Sequence, residues 1–122
     1  YSDQAAAVFL EWDRAMTELA ACDNVVAKLG GLAMEVNGFN WHRLPAPPTS
    51  DDLLKGCAHY YERTIELFGV DRCLFESNFP VDKISCSYNT LWNAFKKLTR
   101  DYSASDKAKL FHDNAQRIYH IA

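Results

Sequence analysis

Between Asp3 and Ala21 the residues Val8, Phe9, Trp12, Met16, Leu19 and Ala20 recur at three- and four-residue spacing with no Gly or Pro among them. That periodicity predicts an amphipathic helix. Ser2 or Asp3 is placed to cap it, and Cys22-Asp23-Asn24 to stop it, because short polar side chains compete for its backbone hydrogen bonds. The pattern then changes. Residues 24–33 are β-branched at their start, carry Lys28 as their only charge and break at Gly30-Gly31, as a buried strand running out into a loop would. Residues 35–51 lose all periodicity, with Asn37, Gly38, Asn40, Pro45, Pro47 and Pro48 surrounding the knot Phe39-Asn40-Trp41-His42-Arg43. A long aromatic-rich loop of this kind is often functional.

Helical spacing resumes at Leu54, Cys57, Tyr61, Ile65 and Phe68, with Ser50 or Asp51 as cap and Gly69 as terminator. A short apolar run, Cys73-Leu74-Phe75, leads into Glu76-Ser77-Asn78-Phe79-Pro80, where proline ends ladder pairing. Two more helices are predicted, from about Tyr88 to Arg100 and from about Ser105 to Tyr119, the second capped by Ser103 or Ser105. The order helix, strand, helix, strand, helix, helix predicts an α/β fold with parallel strands covered by helices. Two parallel strands can neither close a barrel nor form a sheet buried on both faces. The 122 residues, 48% of them hydrophobic, are therefore expected to form one unit, 1–122, of a larger core.

Charge narrows the partners. Thirteen Lys and Arg against sixteen Asp and Glu give a net charge of -3, which leaves no basic field for a phosphate backbone, so no nucleic-acid partner is expected. No apolar run approaches the ~20 residues of a membrane span, and the first residues lack a basic n-region, so the chain reads as cytoplasmic with no membrane partner. Cys22, Cys57, Cys73 and Cys86 stand singly and read as reduced, buried thiols. Together with His42, His59, His112 and His120 they offer no ligand pair at metal-site spacing, and no metal is expected in this chain.

The phrase Asn24-Val-Val-Ala-Lys-Leu-Gly-Gly-Leu, the later Trp41, the run Leu67-Phe-Gly-Val-Asp-Arg-Cys-Leu-Phe-Glu-Ser-Asn-Phe-Pro-Val-Asp82, and the closing Leu110-Phe-His-Asp-Asn-Ala-Gln-Arg-Ile-Tyr119 together resemble one family. They are similar to the C-terminal end of the amidohydrolase 2 type of metal-dependent TIM-barrel hydrolases, which includes sugar lactonases, pyrone dicarboxylate lactonase and aromatic-acid decarboxylases. The resemblance implies a C-terminal fragment of a (β/α)8 barrel with about two parallel strands and four helices, residues 24–33 being strand seven and 72–78 strand eight. It implies that strands one to six, about two-thirds of a ~250-residue barrel, lie outside this chain. The His-x-His metal pair of strand one would lie there too. A divalent metal, zinc or manganese, would then belong to the full-length protein, as would a small-molecule substrate.

Where family members read Phe-Gly-Ser-Asp-Trp-Pro, with the Asp as metal ligand and general base, this chain reads Phe75-Glu76-Ser77-Asn78-Phe79-Pro80. An amide cannot take a proton from water, but a carboxylate has arrived two positions earlier, on the same face of a strand. Glu76 is therefore a candidate base or ligand, and Asn78 a candidate for orienting substrate or water. The alternative is a buried ion pair between Glu76 and Lys28 on the neighbouring strand, which would be catalytically silent.

Trp41, His42 and Arg43 fall in the loop after strand seven, on the face where barrel enzymes keep their chemistry. Trp41 is placed to floor a pocket and Arg43 to clamp a substrate carboxylate, with His42 and Lys28 as further candidate substrate contacts, against the alternative of a loop folded on its own side chains. Asp82 and Lys83 are expected as solvated charges near the pocket mouth, and Asn114 and Arg117 as structural residues satisfying carbonyls. His59, His112 and His120 are expected on helix surfaces. The function implied is part of a hydrolase that attacks a lactone or related carbonyl compound with activated water, inactive as this isolated chain. The alternative is a non-catalytic homo-oligomer whose exposed strands and helix faces are buried by self-association.

Overall fold

The computed structural model describes residues 3–121. The chain runs α1 (Ala5–Ala20), β1 (Ala27–Leu29), α2 (Ser50–Phe68), β2 (Cys73–Phe75), α3 (Tyr88–Leu98), α4 (Ala104–Ala108) and α5 (Asn114–Tyr119). A π-helical turn, Lys109–Asp113, joins α4 to α5, so these three segments make up the single final helix expected from the sequence. The strands are parallel, with Ala27 opposite Cys73, Lys28 opposite Leu74 and Leu29 opposite Phe75. Helix α2 is the crossover that a parallel pair requires.

Both strands are shorter than the windows 24–33 and 72–78. Val25 is held in a turn by its N–H on Cys22 O at 3.1 Å, which delays β1, and Gly31 at φ 78° ends it. The ladder gains one bond beyond β2, from Glu76 N–H to Leu29 O at 3.2 Å, before Asn78 at φ 53° turns the chain away.

The helix ends follow local chemistry, with three corrections. Asp3 lies in the turn ahead of α1, whose N-cap is Gln4 without a side-chain hydrogen bond; Ser2 lies outside the described residues. Helix α2 is capped by Thr49, one residue before the expected Ser50 or Asp51. Thr49 Oγ1 accepts from Asp52 N–H at 3.2 Å and Asp52 Oδ2 from Thr49 N–H at 3.0 Å, a reciprocal capping box. The Thr49 hydroxyl, donating to Asp52 Oδ2 at 2.6 Å, and then the Thr49 N–H hold the Asp52 carboxyl below its ordinary value. Helix α3 stops at Leu98, short of Arg100, and Ser103 caps α4 as expected, accepting from Asp106 N–H at 3.0 Å.

The core lies between α2, the two strands and α3. Leu53, Cys57, Tyr61, Ile65 and Phe68 of α2 are buried in one cluster with Ala27, Leu29, Cys73 and Phe75. Leu53 takes the deep position expected of Leu54, which is half-buried. Phe75 stacks on Phe95 of α3 with centroids 4.4 Å apart, and Tyr61 meets the same ring edge-on at 5.5 Å.

All four cysteines are free, and three are buried as expected, whereas Cys22 is exposed because it sits in the turn after α1. Burial pushes the Cys57 and Cys73 thiols up to about 12 and Cys86 up to about 11, so they stay protonated.

Polar side chains bind the layers to one another. Arg72 donates to Phe68 O, Ala20 O and Cys22 O at 2.9 to 3.0 Å and to Val25 O at 3.3 Å, fastening the ends of α1 and α2 together. Asn114 Nδ2 donates to Val70 O at 2.7 Å and Cys73 O at 2.8 Å, and Arg117 to Asp71 O, the structural roles expected of both. His59 and His112 are exposed on helical surface, and His120 is exposed one residue past α5.

The other edge of β1 carries no strand among the described residues. An open cavity of about 250 Å³ lies there, with Trp12, Met16, Leu19, Val26 and Leu32 in its wall. Among the described residues no helix is long and apolar enough to cross a membrane.

Candidate functional site

In parallel α/β folds the C-terminal ends of the strands are where ligands bind, and two features of the chain converge there. The first is the glycine pair that ends β1. A Cβ on Gly30 would overlap the Glu76 carbonyl oxygen and lie 2.5 Å from Glu76 Oε1, so glycine at this position admits both the Glu76 backbone and its carboxylate at the end of β1. The second is the left-handed turn at Asn78, a conformation that Asn tolerates better than most residues. With the chain turned in this way, Asn78 N–H donates to Glu76 Oε2 at 2.7 Å.

Glu76 and Asn78 are thus brought together by a direct hydrogen bond. The strand alternation expected to align them does not operate, since β2 ends at Phe75. Asn78 Nδ2 also donates to Asp82 Oδ1 at 2.8 Å, and Asn78 O accepts from Asp82 N–H at 3.2 Å. Glu76 Oε1 and Asn78 Oδ1 have no protein partner among the described residues, and both reach solvent.

Asp82 corrects the expectation of a solvated charge. It is 0% exposed, sealed in the helical turn Val81–Ile84, and its Oδ2 has no hydrogen-bond partner among the described residues. Burial pushes its carboxyl up, the Asn78 amide and then the Ala33 backbone N–H oppose that rise, and the nearby Glu76 charge adds to it. Sequence reasoning placed Asp82 near the pocket mouth but missed its burial and its bond to Asn78. Its signal was a spacing of four from Asn78, one helical turn, immediately after Pro80. Lys83 is exposed, as expected.

Lys28 does not form the alternative ion pair. It is exposed on β1 between buried Ala27 and Leu29, and no salt bridge joins it to Glu76 among the described residues. Parallel register sets Lys28 beside Leu74, on the sheet face opposite α2.

The loop residues form a separate group. Trp41 is buried, stacked on Phe39 with centroids 4.4 Å apart and planes 7° from parallel, and a Cβ on Gly56 would lie 2.7 Å from its ring. It therefore packs down onto α2. His42 Nε2 lies 3.3 Å from Glu35 Oε1 and accepts from Arg43 Nε at 3.1 Å, while its Nδ1 is buried without a partner among the described residues. Arg43 is 69% exposed and 3.7 Å from Glu35, so its guanidinium remains open to a further anion. No hydrogen bond or ion pair among the described residues connects this group to Glu76 or Asn78.

Chemically, Glu76 offers a solvent-facing carboxylate oxygen and Asn78 an acceptor beside it. The group does not fit a metal centre by itself. It has two carboxylates, one of them sealed from solvent, and among the described residues no three His, Cys, Asp or Glu are placed to hold an ion.

Comparison with known proteins agrees with this architecture. An uncharacterised protein of Sinorhizobium fredii is 44% identical over 93% of this chain and 34% of its own length. An L-fucono-1,5-lactonase of Burkholderia multivorans is 29% identical over 96% of this chain and 38% of its own length. The chain therefore spans little more than a third of either relative.

A crystal structure of a Burkholderia multivorans amidohydrolase with bound zinc superposes with a TM-score of 0.77 at 28% identity, covering 91% of this chain and 37% of that one. A second, with bound HEPES, gives 0.79 at 29% identity over 98% and 39%. The two parallel strands and their helices are thus the fold of a fragment of an amidohydrolase TIM barrel. A sequence profile of the amidohydrolase family matches residues 1–121, and the chain belongs to that family.

Proposed function

We propose that the full-length protein is a cytoplasmic hydrolase that opens a lactone or related carbonyl compound with an activated water, and that this chain alone is inactive. In this reading residues 1–122 are the end of one barrel domain, with β1 in strand seven and β2 in strand eight. The observation that carries it is the Glu76 carboxylate, held by Asn78 N–H at 2.7 Å at the strand ends with Oε1 free. The lactonase among the relatives supports a lactone as substrate class.

Glu76 Oε1 takes a proton from water as the water oxygen bonds to the carbonyl carbon. The tetrahedral adduct then collapses with cleavage of the ring C–O bond, and the proton passes from Glu76 to the leaving alkoxide, giving a hydroxy acid. Lys28, His42 and Arg43 supply cationic or polar contacts to substrate, and Trp41 backs the loop that carries two of them. Zinc or manganese, if held, belongs to residues outside this chain, and no step above runs through it. Glu76→Gln in the full-length protein is expected to lower kcat for lactone hydrolysis by about 10²- to 10⁴-fold. Unchanged turnover with a lower melting temperature would leave Glu76 a purely structural role.

A second reading is favoured by Leu19 and Val26, 44% and 38% exposed beside the open edge of β1. Here the chain is a non-catalytic homo-oligomer that covers this edge with another copy of itself. The mass of the isolated chain in solution separates the two, since a soluble monomer excludes self-association.

A further inference from the structure

We propose that Asp82 is a positioning residue for the hydrolytic site: by holding the Asn78 amide at Nδ2, it turns Oδ1 outward as a fixed acceptor for the attacking water. The inference rests on the hydrolase reading and names a residue that reading does not use. Every other polar atom of Asn78 is engaged. Its N–H is on Glu76 Oε2 at 2.7 Å, its carbonyl accepts from Asp82 N–H at 3.2 Å, and Nδ2 is on Asp82 Oδ1 at 2.8 Å.

The two arms of a planar amide diverge, so fixing Nδ2 on Asp82 directs Oδ1 away from it, toward the solvent that Oδ1 reaches. A carboxylate is the group that enforces this polarity. Ionised, it only accepts. Protonated at Oδ2, it still accepts through Oδ1, so the amide keeps one orientation in both states. A water that gives one hydrogen to Glu76 Oε1 and the other to Asn78 Oδ1 has its lone pairs turned toward a carbonyl carbon. Complete burial of Asp82 keeps competing water off the Nδ2 contact.

The test is a double-mutant cycle in the full-length protein with a sugar lactone as probe. Asp82→Leu fills the buried site without an acceptor, and Asp82→Asn keeps one. Asp82→Leu is expected to lower kcat about tenfold with KM unchanged, Asp82→Asn to retain most of kcat, and Asp82→Leu to add nothing once Asn78→Ala is present. Losses that multiply in the double variant, or a loss equal for Leu and Asn, would overturn the proposal. Nitrogen-15 labelling of asparagine reads the same contact without turnover. The Asn78 side-chain amide should be protected from exchange in the wild type and in Asp82→Asn, and a freely exchanging wild-type amide overturns the proposal even if Asp82→Leu does not fold. If Glu76→Gln leaves turnover intact while that protection is present, the hydrolytic reading fails and the Asp82–Asn78 contact stands.

Discussion

Gly30 stands opposite Glu76 across the ends of the two strands, and a Cβ on Gly30 would lie 2.5 Å from Glu76 Oε1. The missing side chain of one strand is the space used by the backbone carbonyl and the carboxylate of Glu76 on the other. Gly30→Ala is therefore expected to displace Glu76, at an overpacking cost of about 1–3 kcal/mol. Thermal unfolding checks the cost, and a full-length variant should lose turnover more than a core substitution of equal destabilisation. Wild-type stability and turnover would show that the contact relaxes freely.

Asp82 ties stability to pH. Its carboxyl holds a proton to higher pH in the folded chain than in the unfolded one, where the ordinary value of 3.8 applies. Between those two values the native state binds the extra proton, so this contribution is whole below the ordinary value and is lost as pH rises through the folded one. Denaturant titrations from about pH 4 to about pH 8 should show a downward slope that Asp82→Asn removes. Parallel slopes in the two proteins would sink the assignment.

Arg72 is the staple between α1 and α2, donating to four carbonyls at 2.9 to 3.3 Å. Arg72→Ala leaves those carbonyls without a cationic partner and should cost about 2–4 kcal/mol. Arg72→Lys should recover little of this, because an ammonium cannot span the fork. Urea midpoints of the three proteins give the comparison, and a fully restored Lys variant would mean that charge alone suffices.

Arg43 keeps most of its surface, 69%, open despite Glu35 at 3.7 Å. In the full-length protein Arg43→Ala is expected to raise KM about tenfold for a carboxylate-bearing lactone, roughly 1.4 kcal/mol of binding, and to leave a neutral lactone unchanged. Equal KM values for both substrates would confine Arg43 to the Glu35–His42 group.

Much of the fold is legible from local pattern. The stripe Cys57, Tyr61, Ile65 and Phe68 lies where helical periodicity puts it, Gly69 ends α2 at φ 76°, and Ser103 caps α4. The errors sit at boundaries, where Thr49 and Ser50 are both competent caps and only the reciprocal bond with Asp52 chooses between them. The site is legible in part. Glu76 and Asn78 are visible as a carboxylate and an amide after a strand, but the bond joining them depends on a left-handed Asn78 that no spacing rule predicts.

What the sequence alone determined is therefore the inventory: two short parallel strands, their helices, the glycine pair and the acid and amide at the strand ends. These follow from periodicity and residue chemistry, which act over a few neighbouring positions. Only the tertiary structure decided that Asp82 is sealed, that Lys28 stays free of Glu76, and that Trp41 packs onto α2. Burial and hydrogen-bond partners are set by residues tens of positions apart in the chain, such as Ala33 and Ser85, and by the turn that folds Asp82 back beneath Asn78.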